Sequence, residues 1–182
     1  MRDSSAESPY VAVVGPRDAT SAQIAAAETI GRGLALAGAV LLTGGHGGAM
    51  AAACRGAATA GGLTVGILPG RDRAAANEWV AVAIPTGLGD LRNGLIVRAA
   101  DVVIAVGGAY GTLSEIALAL SDGVPVVGVD TWPIEGIERV RSVPDAVPCA
   151  LELARTRVAG GGSAAVARQA GGANDQADGP AK

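Results

Sequence analysis

The chain has 182 residues, 49% of them hydrophobic and 17% charged, which is enough apolar material for one packed domain and excludes a disordered polyelectrolyte. A net charge of -3 with no basic run argues against a broad nucleic-acid surface, although single arginines in a pocket can still meet a phosphate. Two widely separated cysteines, Cys54 and Cys149, and one histidine, His46, give no metal-type spacing, so no metal site is expected and the thiols are read as reduced core residues.

Residues 1–8 are polar and expected to be loose, with no apolar signal core. No run approaches the roughly 18 apolar residues of a membrane span, and a cytoplasmic protein is expected. Tyr10–Gly15 is a short apolar run closed by Gly-Pro, the pattern of a buried strand. Ala27, Ile30 and Leu34 give residues 21–37 a helical period, stopped by Gly38. The alternation then repeats: strand Val40–Thr43, the loop GGHGG at 44–48, helix 49–60, Gly61-Gly62, strand Leu63–Leu68 and Pro69-Gly70. A strand over Val80–Ile84 ends at Pro85, and Asp90 is placed to cap a helix over 91–99. Strand Val102–Val106 runs into GGAYGT. Helix 112–121, the turn Asp122-Gly123 and strand Pro125–Val129 follow. A short strand near 138–143 and a helix near 146–157 complete the set.

Strands and helices alternating at this pitch imply an α/β fold: one Rossmann-like domain, a three-layer sandwich with a mostly parallel sheet of about six or seven strands. The domain is expected over 9–158. From 159 the chain is rich in Gly, Ala and polar residues and is read as a flexible tail to 182. In such a sheet the ligand lies at the carboxyl ends of the strands. Those ends carry Gly15, Gly44–Gly48, Pro69-Gly70, Pro85–Gly87 and Gly107–Thr112, so five loops are expected to share one rim.

GGAYGTLSE, residues 107–115, is the most informative loop. Glycines let the backbone approach an anion closely, and the following helix, beginning near Thr112, presents unpaired N–H groups and a positive dipole end, so a phosphate is stabilised twice. Leu113, Ile116, Ala117 and Leu120 form the expected buried stripe, with Glu115 off it. Thr112 and Glu115 also fit a capping box, which leaves two readings of Glu115, a cap or a ligand-facing carboxylate. GGHGG offers a second anion nest, in which His46 is expected to face solvent. Arg92 lies off the face of Leu91 and Leu95, and either pairs with phosphate at the rim or stands in water. There is no G-x-x-x-x-G-K-[ST], no G-x-G-x-x-G and no Ser-His-Asp set.

Taken together in this order, TGGHGGAM (43–50), VGILPG (65–70), Arg92-Asn93, AADVVIAVGGAYGTLSE (99–115) and PVV (125–127) resemble the LOG superfamily over roughly residues 10–157. One branch, lysine-decarboxylase-like in name, consists of phosphoribohydrolases that split nucleoside 5′-monophosphates into free base and ribose 5-phosphate. Its signature is Arg-Lys followed by PGGxGTxxE. The other is similar to molybdenum cofactor carrier proteins and related bacterial nucleotide-binding proteins, with Arg-Asn and GGGxGTLSE. This chain sides with the second: Asn93 follows Arg92, Gly107 stands where the enzymes have proline, Ala109 replaces a glycine, and Ser114 precedes Glu115. The resemblance implies a carrier or binding protein for a phosphate-bearing, nucleotide-like ligand. That ligand would be molybdenum cofactor or a nucleoside monophosphate, held by Gly15, Gly44, Gly45, Gly47, Gly48, Arg92, Asn93, Gly107, Gly108, Gly111 and Thr112. It also implies an alternative, a phosphoribohydrolase with Arg92 and Glu115 as catalytic residues, since both stand at the enzymes' spacing. A homodimer or homotetramer is implied too, with helices 49–60 and 112–121 as expected contact faces.

Overall fold

A computed structural model describes residues 8–169. Seven strands form one sheet: β1 (Tyr10–Val14), β2 (Val40–Thr43), β3 (Thr64–Leu68), β4 (Val82–Pro85), β5 (Val102–Val106), β6 (Val126–Val129) and β7 (Ile137–Arg139). Their order is β4-β3-β2-β1-β5-β6-β7 and every pairing is parallel. The helices are α1 (Ser21–Leu36), α2 (Ala49–Thr59), α3 (Asn93–Arg98), α4 (Tyr110–Ser121) and α5 (Val143–Gln169).

Strand side chains alternate between two apolar layers, as a sheet covered on both faces requires. Val11, Val13, Leu41, Ile104 and Val127 pack with α1, α2 and α5. Ala12, Val14, Leu42, Ile67, Val103 and Ala105 pack with α3 and α4. The first layer is thin because glycine and alanine line it. A Cβ on Gly31 would strike the Ala53 carbonyl, and one on Gly56 the Glu28 carbonyl, so α1 and α2 touch backbone to backbone. Ala49, Ala52, Ala53, Cys54 and Ala57 are buried beneath α1, which leaves only the face of Ala51, Arg55 and Ala58 outward on this helix.

Other departures are local. The expected helix over 91–99 splits into a 3₁₀ turn, Gly89–Arg92, and the short α3. Asp90 lies inside that turn and does not cap it, because Gly89 already starts the turn one residue earlier. A second 3₁₀ turn, Arg73–Ala75, capped by the Asp72 carboxylate, was not anticipated. α5 starts at Val143 and runs on to Gln169, past its expected end at 157. Residues 1–7 of the expected loose N-terminus and 170–182 of the expected tail lie outside the described residues. Among the described residues no helix is long and apolar enough to cross a membrane.

The sheet order reverses between β1 and β5. From β1 the chain crosses through α1 to β2 on one side, and from β5 through α4 to β6 on the other. This switch point opens a crevice at the carboxyl ends of the two strands, where the connections part in opposite directions.

Candidate anion site at the sheet switch point

Three helix mouths face the crevice, and they are satisfied differently. α1 caps itself: Thr20 Oγ1 accepts from the Gln23 N–H at 3.3 Å, and Gln23 Oε1 accepts from the Thr20 N–H at 3.0 Å. α2 is closed by the β1–α1 loop, its Ala49 N–H donating to the Pro16 carbonyl at 3.1 Å. Gly48, at φ 63, lies so close to the Pro16 and Arg17 carbonyls that no Cβ would fit. α4 has neither device. Its N-cap is Ala109, with no side-chain hydrogen bond, and the Leu113 N–H to Ala109 carbonyl bond, 2.8 Å, begins its ladder. The N–H groups of the first turn therefore point into the crevice with the positive dipole end behind them.

The two glycine loops part company accordingly. The GGHGG loop is tied down by its neighbours: Thr43 Oγ1 accepts from the Gly45 N–H, and Asn77 Nδ2 donates to the carbonyls of Gly45 and His46. In the second anion nest expected there, the Gly45 N–H and two carbonyls are thus engaged by protein atoms. In the other loop, Gly107 at φ 68 turns the chain beside Gln23, while a Cβ on Gly111 would meet open space.

A cavity of about 500 Å³ occupies the crevice. Of the residues expected at the site, Gly15, Arg92, Asn93, Gly108, Gly111, Thr112 and Glu115 line it, and Gly44, Gly45, Gly47, Gly48 and Gly107 do not. Gly44 still shapes the site, since a Cβ there would stand 2.6 Å from Arg92 Nη2. Arg17, Asp18, Thr20, Gln23, His46, Met50 and Asp90 line it as well. Of these the sequence offered Asp90 only as a helix cap and His46 as a loop residue facing solvent, and His46 is half-buried in the cavity wall instead. Its Nε2 is buried with no partner.

Arg92 is only 7% exposed. The face expected to be buried, Leu91 and Leu95, is in fact the outward one, because the 3₁₀ turn changes the angular step between residues and swings Arg92 inward. Its Nη1 donates to Asn93 Oδ1 at 2.8 Å. Asn93 Nδ2 donates to Ser114 Oγ at 2.9 Å, and Ser114 Oγ to the Gly111 carbonyl at 2.8 Å. This relay fixes the arginine to the first turn of α4 and gives Asn93 and Ser114 a physical task.

Glu115 departs from its expected place too. The buried stripe of α4 runs through Thr112, Glu115, Ile116 and Ala119, while Ala117 is exposed. No capping box forms, since the helix starts at Tyr110, ahead of Thr112. The Glu115 carboxylate lies 3.7 Å from Arg92 Nη1, too long for a strong charge-assisted hydrogen bond. Burial pushes its pKa up to about 7, with Arg92 pulling the other way. Burial also lowers the pKa of Arg92 and of His46.

Arg92 Nε, Thr112 Oγ1 and His46 Nε2 are all buried without a partner, and all three residues line this cavity. Buried polar groups are nearly always paired, so three unpaired ones beside one uncapped helix mark a place built for a polar guest.

Residues 8–150 match the model of the SLOG cluster4 family. The chain is similar to the molybdenum cofactor binding protein of the phototrophic bacterium Rippkaea orientalis, at 37% identity and a TM-score of 0.75 over 84% of this chain and 98% of that one. It is similar to the Moco carrier protein of Chlamydomonas reinhardtii, at 34% identity and a TM-score of 0.76 over 82% and 99%. A protein of Archaeoglobus fulgidus is 40% identical over 136 residues, 74% of this chain and 89% of its own length.

Proposed function

The chain belongs to the SLOG cluster4 family, and from that premise we propose that it is a binding or carrier protein whose switch-point cavity holds the phosphate end of a nucleotide-like molecule. The convergence of Arg92 Nε, Thr112 Oγ1 and the open first turn of α4 on one cavity carries this reading. Gly108, Gly111 and Thr112 would supply backbone and hydroxyl donors, Arg92 the charge, and Asn93 the link between them.

Molybdenum cofactor fits these residues at its phosphate end, and the similarity to carriers of that cofactor favours it as the cargo. Mass spectrometry of the small molecule released from the purified protein tests the identity. Calorimetric titration with the released compound tests the site: Arg92→Ala is expected to weaken binding about a hundredfold. Undiminished affinity in that variant would overturn the placement.

One observation favours a second reading, hydrolysis of a nucleoside 5′-monophosphate. A buried carboxyl titrating near neutrality beside a guanidinium suits proton transfer, and Glu115 would orient water toward the anomeric carbon as the N-glycosidic bond breaks. The base would leave with a proton and ribose 5-phosphate would remain. Incubation with AMP decides: release of free adenine, abolished in Glu115→Gln, supports this reading, and intact AMP removes it.

Self-association belongs to the same proposal. Leu91 is 83% exposed beside a groove of about 680 Å³ between α3 and α4, lined also by Gly94, Ala117 and Leu118. A second copy of the chain covering this face would bury that apolar surface. Sedimentation of Leu91→Glu against the unaltered chain tests it, with a shift to monomer expected.

A further inference from the structure

The β1–α1 loop contributes a cation that the proposed anion site has not used. Arg17 lines the cavity, its side chain is exposed, and among the described residues it forms no ion pair. Its backbone is held firmly. The Pro16 carbonyl accepts from Ala49, and the Pro16 and Arg17 carbonyls fill the space where Gly48 lacks a side chain. The loop is thus anchored to the closed mouth of α2 while its guanidinium is free to reach across the crevice.

Arg17 is close enough for its charge to act on both other basic groups of the cavity. After burial, it is the next cause lowering the pKa of His46, and it also opposes the charge on Arg92. Two guanidiniums facing one space repel each other, and an anion between them relieves that repulsion and gives the neutral His46 ring a charged neighbour. Of the carboxylates lining the cavity, Glu115 and Asp90 offset the charge of Arg92, and among the described residues neither they nor the exposed Asp18 pairs with Arg17.

We propose that Arg17 is the outer cation of this site, and that the group it helps to hold is a terminal phosphate monoester. This rests on the anion-site reading above and narrows it. Donors approach from three directions: the first turn of α4 with Thr112, Arg92 from the α3 side, and Arg17 from the β1–α1 loop. A terminal monoester offers three unesterified oxygens, one to each. A phosphodiester within a chain offers two and leaves one donor set without a partner.

His46 is the chain's one histidine, so its imidazole signals in NMR are unambiguous. Inorganic phosphate, standing for the monoester, is titrated into the full chain, and dimethyl phosphate, standing for the diester, into a second sample. Saturable displacement of the His46 signal by phosphate is expected, with dimethyl phosphate at least about tenfold weaker. Arg17→Ala is expected to weaken phosphate about tenfold and Arg17→Lys less. The position is exposed, so the fold should survive, and the dispersion of the amide spectrum reports it. An Arg17→Ala titration superimposing on that of the unaltered chain, while Thr112→Val loses affinity, would overturn the role of Arg17 and leave the anion site standing. Equal binding of both esters would overturn the monoester assignment. A His46 signal in the unaltered chain that ignores phosphate would remove both readings together.

Discussion

The mouths of α2 and α4 both follow glycine-rich loops, at the ends of β2 and β5, yet one is shut and the other open. At α2 the N–H of Ala49 is taken by Pro16, the Gly45 N–H by Thr43, and the loop carbonyls by Asn77. At α4 no side chain caps the helix, and the hydroxyl of Thr112 has no partner. Glycine content does not distinguish a phosphate cradle from a tight turn. What distinguishes them is whether the protein supplies its own acceptors to the helix mouth.

The largest expected effect tests the closed mouth. Gly48→Ala forces a methyl group into the Pro16 and Arg17 carbonyls at a positive φ. A loss of about 3 kcal/mol in denaturant unfolding is expected. Gly111→Ala, with open space around its Cβ, is expected to leave unfolding nearly unchanged and to weaken phosphate binding. Equal stability loss in the two variants would dissolve the contrast.

Next is the pH dependence of the open mouth. The pKa of Glu115 rises from an ordinary 4.5 to about 7 on folding, so the folded state holds the proton more tightly than the unfolded chain. Stability is therefore greatest below about 4.5 as far as this group is concerned, and falls as pH rises from there through about 7, by roughly 3 kcal/mol in all. Glu115→Gln is expected to flatten that slope in chemical denaturation across this window. A variant with the same slope as the unaltered chain would mean that Glu115 is not the group responsible.

Much of the fold was legible because the central strands are short apolar runs, chiefly of Val, Ile, Leu and Ala, bounded by glycine and proline, the pattern of a sheet buried on both faces. The rim was legible for the same reason, since the ends of β1 to β5 carry glycine or proline turn residues. Local patterning failed where a distant segment or a change of helix type decided the outcome. Nothing in GGHGG announces that Asn77 will bind its carbonyls or that Pro16 will take the first N–H of α2. The helical period placed Leu91 and Leu95 inward, and the 3₁₀ turn over Gly89–Arg92 turned them out and Arg92 in. On α4, starting the helix near Thr112 and grouping its leucines put Glu115 outside. The observed start at Tyr110 and the small buried residues Thr112 and Ala119 put it inside. Arg17 was invisible because its role depends on where the β1–α1 loop is pinned.

The smallest expected effect is the sharpest discriminator, because the two mouths should respond with opposite signs to one substitution. Thr43 and Thr112 are both fully buried, at 0% and 2% exposure. The Thr43 hydroxyl accepts from the Gly45 N–H at 3.0 Å, so Thr43→Val strands that donor and should cost about 1 kcal/mol or more. The Thr112 hydroxyl has no partner, so Thr112→Val removes an unsatisfied polar group from the interior. Unfolding free energy should stay level or rise by up to about 1 kcal/mol, while phosphate affinity falls about tenfold. A residue that lowers stability and is present nonetheless is what a binding site requires, since the ligand supplies the missing partner. Were both valines destabilising by similar amounts, with phosphate affinity unchanged, the open mouth would be a packing feature like the closed one.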